Sequence, residues 1–131
     1  MSREHLLILG AGPGGYSAAF YAADQGYKVT LVDSNDELGG VCLHRGCIPS
    51  KALLHIAGLI AKTSQAKEWG IKYAAPDIDI ERLREWEKGI ISNMSGGLIS
   101  LCEKRDVHFV IGRGEFINSN TIKLADSNSI T

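Results

Sequence analysis

A chain of 131 residues with 14 Lys and Arg against 15 Asp and Glu has room for one domain with a sizeable core. Its net charge of -1 gives no electrostatic reason to expect nucleic acid or an anionic membrane as partner. Hydrophobic residues at 44% and charged residues at 22% are ordinary for a soluble globular protein, and no apolar run reaches membrane-spanning length. The segment Met1–His5 and the short apolar run behind it lack the long hydrophobic region and cleavage site of a signal peptide. The expected compartment is the cytoplasm, where structural disulfides are uncommon.

Residues 5–9 are continuously apolar after His5, as for a strand buried on both faces. Gly10, Gly12 and Gly15 come next in the spacing G-x-G-x-x-G. Ser17–Gln25 is small and alanine-rich, so helical, and Gly26 is placed to end that helix. The β-branched run 28–32 predicts a second strand, closed by Asp33, which completes a βαβ unit. A loop carrying Cys42 and Cys47 leads into a helix over residues 50–69, with Pro49 in its first turn and Gly70 at its end. Residues 73–77 read as a loop. Asp79 is placed to cap a further helix over 80–104, in which Gly96 and Gly97 predict a break or close packing against a neighbour. Residues 107–117 and 121–125 read as strands joined by the turn 118–120, and the polar tail 126–131 has no element to end on. The expected fold is α/β: a Rossmann-like domain with a parallel sheet, helices and a small C-terminal β-hairpin or meander.

The glycine motif alone is weak. Here a strand precedes it, a helix succeeds it, and an acidic residue closes the next strand. Gly10 permits the tight turn, Gly12 lets a pyrophosphate approach the backbone, and Gly15 lets helix and strands pack closely. The helix N-terminus offers free N–H groups and partial positive charge to phosphates. Asp33 is placed to accept hydrogen bonds from ribose hydroxyls. These residues predict a bound dinucleotide without saying which one.

Cys42 and Cys47 admit three readings: half of a zinc site, a structural staple, or a redox couple. Zinc wants four ligands at short spacing, and Cys102 has only His108 near it. A helix N-terminus beside Cys47, with Arg45 and Lys51 nearby, would stabilise a thiolate, the attacking species in disulfide exchange. A redox dithiol next to a dinucleotide loop points to FAD, because a flavin exchanges electron pairs with a dithiol more readily than NAD does. Cys102 reads as a buried thiol, His55 as packed, Asp77 and Asp79 as caps, and Trp69 and Trp86 as core or inter-domain contacts.

The stretch "GGVCLHRGCIPSKALLH" closely resembles the redox-active segment of the flavin-dependent pyridine-nucleotide disulfide oxidoreductases, and "GAGPGGYSAAFYAADQG" resembles their FAD fingerprint. Within that family, "CIPSKALLH", "WEKGIISNMSGGL" and "GRGEF" are most similar to the bacterial dihydrolipoamide dehydrogenases. The resemblance runs along essentially the whole chain. It implies that Cys42 is the interchange thiol and Cys47 the thiol nearest the flavin, and that Lys51 stands beside the flavin. It also implies that Gly39, Gly40 and Gly114 line the FAD. Asp33 stands where the family more often has glutamate, and His44-Arg45 replaces its usual Asn-Val. The implied reaction passes electrons from dihydrolipoamide through Cys42–Cys47 and FAD to NAD, in a homodimer serving the lipoyl group of a 2-oxo acid dehydrogenase complex. Related reductases of glutathione or mercuric ion, and a non-catalytic nucleotide-binding fragment, are the alternatives. Only one glycine fingerprint is present. Together with the resemblance, which implies further NAD and dimer-interface domains, this gives the expectation that residues 1–131 are the N-terminal part of an FAD-binding domain, that those domains are absent, and that the chain alone is inactive.

Overall fold

The computed structural model describes residues 4–125 and 129–130. Strand β1 (His5–Leu9), helix α1 (Pro13–Asp24) and strand β2 (Lys28–Asp33) form the βαβ unit. A short helix α2 (Gly40–Arg45) leads directly into α3 (Cys47–Gln65), and α4 (Ile80–Lys104) delivers the chain to β3 (Val107–Ile111). Strands β4 (Gly114–Asn118), β5 (Thr121–Leu124) and β6 (Ser129–Ile130) complete the order. β1, β2 and β3 make a parallel sheet with β2 in the middle, while β4, β5 and β6 make an antiparallel meander.

The central position of β2 explains its sequence. Val29, Thr30, Leu31 and Val32 are all buried, so a near-continuous apolar strand is what both faces require. On one face Val29 and Leu31 pack with Ala19 and Ala22 of α1, Cys102 of α4, and Leu38. Against the other face the meander brings Ile122 and Leu124 onto Val32. Alanines on α1 let that helix lie close to the sheet. Arg105, just beyond α4, holds the two helices together at this end. Its guanidinium lies over the Phe20 ring at 5.3 Å, and its Nε is 3.0 Å from Asp24 Oδ1. That N–H is not aimed for a hydrogen bond, so the contact is an ion pair only.

Several expectations need correction. β1 is not buried on both faces: among the described residues it is an edge strand, and Leu6 and Leu9 remain partly open. The run 107–117 is two strands in different sheets. It divides at Gly112, whose N–H donates to the Asp33 carbonyl, and Arg113, whose carbonyl accepts from Ala125. The tail does carry an element, since β6 pairs with β5; residues 126–128 and 131 lie outside the described residues. α4 is continuous through Gly96 and Gly97, and a β-carbon at either would meet nothing within 4 Å, so these glycines neither break the helix nor seat a neighbour. α3 ends at Gln65, and a 3-10 turn over Ala66–Trp69 precedes the left-handed Gly70. Asp79 caps α4 by accepting from the Arg82 N–H at 3.0 Å.

Candidate functional site: a glycine turn joined to a disulfide

The turn between β1 and α1 is built by its glycines. Gly10 has φ +101°, a left-handed backbone suited to glycine, and its N–H donates to the Val32 carbonyl at 2.7 Å. A β-carbon at Gly15 would collide with the Gly10 carbonyl, so only glycine lets α1 start this close to the strand. Gly12 is the N-cap, with open space where a side chain would stand. Pro13 opens the helix, no side chain caps it and no acidic residue occupies its first turn. The first-turn N–H groups of this helix are therefore offered to an external acceptor, as anion binding requires.

Asp33 closes β2 beside this turn. Its Oδ2 accepts from the Ala11 N–H at 2.6 Å, and its Oδ1 accepts from the backbone and side-chain N–H groups of Asn35, each at 2.9 Å. Burial pushes its pKa up, but these hydrogen bonds, with one from the Ser34 backbone, outweigh burial and hold it below the ordinary 3.8. The carboxylate thus already braces the glycine turn from within the protein, a role not foreseen in its reading as a ribose acceptor.

The second half of the site is the turn at Gly39 and Gly40, with φ +120° and +62°. A β-carbon at Gly40 would lie 2.7 Å from the Gly12 Cα, so the two glycine turns are in backbone contact. Cys42 lies on α2, a helix where a loop was expected, and Cys47 is the first residue of α3. Gly46 ends one helix and begins the other. This kink turns Cys47 back on Cys42: the sulfurs are bonded and the Cα atoms are 4.7 Å apart, within the range a disulfide spans. Cys47 stands at the N-terminal end of a 19-residue helix, where a released thiolate is stabilised. Cys102 is free and buried; burial pushes its thiol pKa up, opposed by nearby Arg105 and aided by Glu103.

Lys51 lies on α3 one turn past Cys47, on the same helix face and exposed. Gly114, at the start of β4, is distant in sequence but seated at the seam between the two sheets. A β-carbon there would fall 2.8 Å from Ile122 and 2.9 Å from Leu9. His55 is exposed rather than packed, and Trp69 and Trp86 are 68% and 41% exposed, outside the core of this chain.

A groove of about 500 Å³ runs between α1, α2, the start of α3 and α4. Cys42 lines it with Tyr16, Leu43, Ile48, Leu98 and Leu101, while Cys47 does not. The α4 side of this groove was not anticipated. Leu98 and Leu101 are three apart on a helix and share a face, but nothing local marks that face as bordering a disulfide.

The profile of a family described as pyridine nucleotide-disulphide oxidoreductase matches residues 4–131. A dihydrolipoyl dehydrogenase from Vibrio cholerae serotype O1 is 44% identical over 127 residues, covering 95% of this chain and 27% of that relative. One from Haloferax volcanii is 44% identical over 120 residues, covering 92% of this chain and 25% of the relative. The chain thus spans about a quarter of the length of the curated relatives it matches. Among solved structures, LpdA from Mycobacterium tuberculosis superposes with a TM-score of 0.78 at 27% identity, over 97% of this chain and 29% of that one. The HOCl-induced flavoprotein disulfide reductase RclA from Escherichia coli shares the fold, with a TM-score of 0.75 at 23% identity over 97% of this chain and 26% of that one. Two glycine turns in contact, a disulfide beside them and a family profile spanning the chain lead to one conclusion: this chain belongs to the pyridine nucleotide-disulphide oxidoreductases.

Proposed function

We propose that this chain forms the FAD and redox-disulfide part of a dihydrolipoamide dehydrogenase. The observation that carries the reading is the asymmetry of the disulfide: Cys42 borders an apolar groove and Cys47 sits behind it at a helix N-terminus. A thiolate of the substrate dithiol entering by the groove attacks the Cys42 sulfur. The Cys42–Cys47 bond breaks, and its electron pair leaves on Cys47 as a thiolate. The second substrate thiolate then attacks the mixed disulfide, releasing Cys42 and closing the substrate's own disulfide. The substrate is oxidised by two electrons and the cysteine pair is reduced by two. An aliphatic dithiol such as dihydrolipoamide suits an apolar groove better than the charged glutathione tripeptide does.

The residues present fit a flavin dinucleotide. Gly10, Gly12 and Gly15 shape an uncapped helix N-terminus with open space at Gly12, suited to the pyrophosphate. Asp33, Gly39, Gly40, Lys51 and Gly114 complete the set we assign to FAD. When bound, FAD would take the electron pair from the cysteines and yield it to NAD. In this reading the parent enzyme is a cytoplasmic homodimer serving the lipoyl groups of a 2-oxo acid dehydrogenase complex. Among the described residues no helix is long and apolar enough to cross a membrane.

The test is to incubate the oxidised chain with dihydrolipoamide or glutathione and alkylate the products. Dihydrolipoamide should liberate the Cys42 and Cys47 thiols fastest. A disulfide that resists dihydrolipoamide, or yields as readily to glutathione, would defeat the assignment.

A further inference from the structure

We propose that His44 and Ser95 are positioning residues for the Cys42–Cys47 couple, acting through the peptide unit that joins Leu38 to Gly39. This rests on the redox function proposed for the pair. Leu38 is fully buried, and its carbonyl accepts two hydrogen bonds from two different helices. The Ser95 hydroxyl of α4 donates at 3.1 Å, and His44 Nε2 of α2 donates at 2.9 Å. The N–H of the same peptide unit, on Gly39, donates to the Ala11 carbonyl of the glycine turn at 3.0 Å. One amide plane is therefore held by three separate segments: the dinucleotide turn, the dithiol helix and α4.

The position of that plane sets the direction in which the chain enters α2. Gly39 and Gly40 both have positive φ, and glycine has the widest backbone freedom to lose. With its peptide unfixed, this turn could aim α2 in many directions, and Cys42 lies on α2. Ser95 is a polar side chain 4% exposed on an otherwise apolar helix face, where its hydroxyl needs a partner. His44 also places Nδ1 3.4 Å from the Glu37 carboxylate, which stays largely exposed, so the ring spans from the surface to the buried carbonyl. His44 and Ser95 make no hydrogen bond to either sulfur. They act by setting where Cys42 stands relative to Cys47 and to the glycine turn.

The experiment is a thiol–disulfide titration of the 131-residue chain in dithiothreitol buffers, with unfolding midpoints measured alongside. His44→Leu and Ser95→Ala should each shift the equilibrium roughly three- to tenfold toward the dithiol, where tenfold is about 30 mV for a two-electron couple. His44→Gln, which keeps a donor near the Nε2 position, should restore the wild-type value to about twofold. A merely structural role would lower the unfolding midpoint while leaving the equilibrium of the folded protein unchanged. Leu and Ala variants that titrate like wild type would overturn the inference alone. A wild-type pair that does not cycle would overturn it together with the redox function. Should both variants fail to fold, amide exchange in the wild type decides. The Gly39 N–H should be among the slowest of residues 34–46, and exchange as fast as that of exposed residues 34–36 would refute the joint.

Discussion

Gly40 rests on Gly12: a β-carbon on Gly40 would stand 2.7 Å from the Gly12 Cα, closer than real side chains approach a backbone. This contact fixes the distance between the glycine turn that follows β1 and the turn that leads to the disulfide. Gly40→Ala should therefore push the turns apart as well as force an L-residue into a left-handed backbone, which costs about 1–2 kcal/mol by itself. Urea unfolding should show a loss of at least that size, and FAD affinity should fall with it. Gly96→Ala is the control. Gly96 sits inside α4 with open space around it, so alanine should stabilise by about 0.5–1 kcal/mol in the same assay.

The three cysteines should separate cleanly by alkylation and mass spectrometry. In the oxidised chain none should label under native conditions. Reduction should expose Cys42 and Cys47, while Cys102, buried and with its thiol pKa raised by burial, should label only on unfolding. Cys42→Ser or Cys47→Ser should abolish consumption of dihydrolipoamide, and Cys102→Ser should leave it unchanged. A bridge from Cys102 to either partner would contradict the assignment.

Asp33 makes stability depend on pH in a defined direction. Its folded pKa is lowered below 3.8 by the hydrogen bonds from Ala11, Asn35 and Ser34, which outweigh burial. The stabilisation is therefore fully present above the unfolded value and is lost as pH falls through the folded one. Asp33→Asn should destabilise the chain at neutral pH by about 1.5–3 kcal/mol, the usual range for hydrogen bonds to a charged group. The gap between variant and wild type should close as pH drops below 3.8, measured by urea midpoints across the acid range. A gap that widens in acid would reverse the sign and refute the account.

Arg105 is predicted to contribute through stacking more than through charge. Its partner Asp24 is 53% exposed, so solvent screens the ion pair, whereas the guanidinium lies over Phe20. Arg105→Ala should cost about 1 kcal/mol. Arg105→Lys should recover less than half, and 1 M salt should change the difference little. Full recovery by lysine, with strong salt sensitivity, would assign the effect to the ion pair.

The βαβ unit, the glycine turn and the proximity of Cys42 to Cys47 are legible in the chain read locally. Each depends on neighbours within a few residues: runs of apolar side chains, glycine at the turn, and two cysteines five positions apart. Other features are decided by contacts between distant segments. The run 107–117 reads as one strand because nothing local divides it; Asp33 and Ala125 do so by bonding at Gly112 and Arg113. β1 has the composition of a central strand and lies at the edge of the described sheet because only β2 pairs with it. Ser95 in the sequence is one polar residue among several on a helix. Only folding places it against Leu38, 57 positions away, because a hydrogen bond that long in sequence exists only once α4 has packed across the sheet.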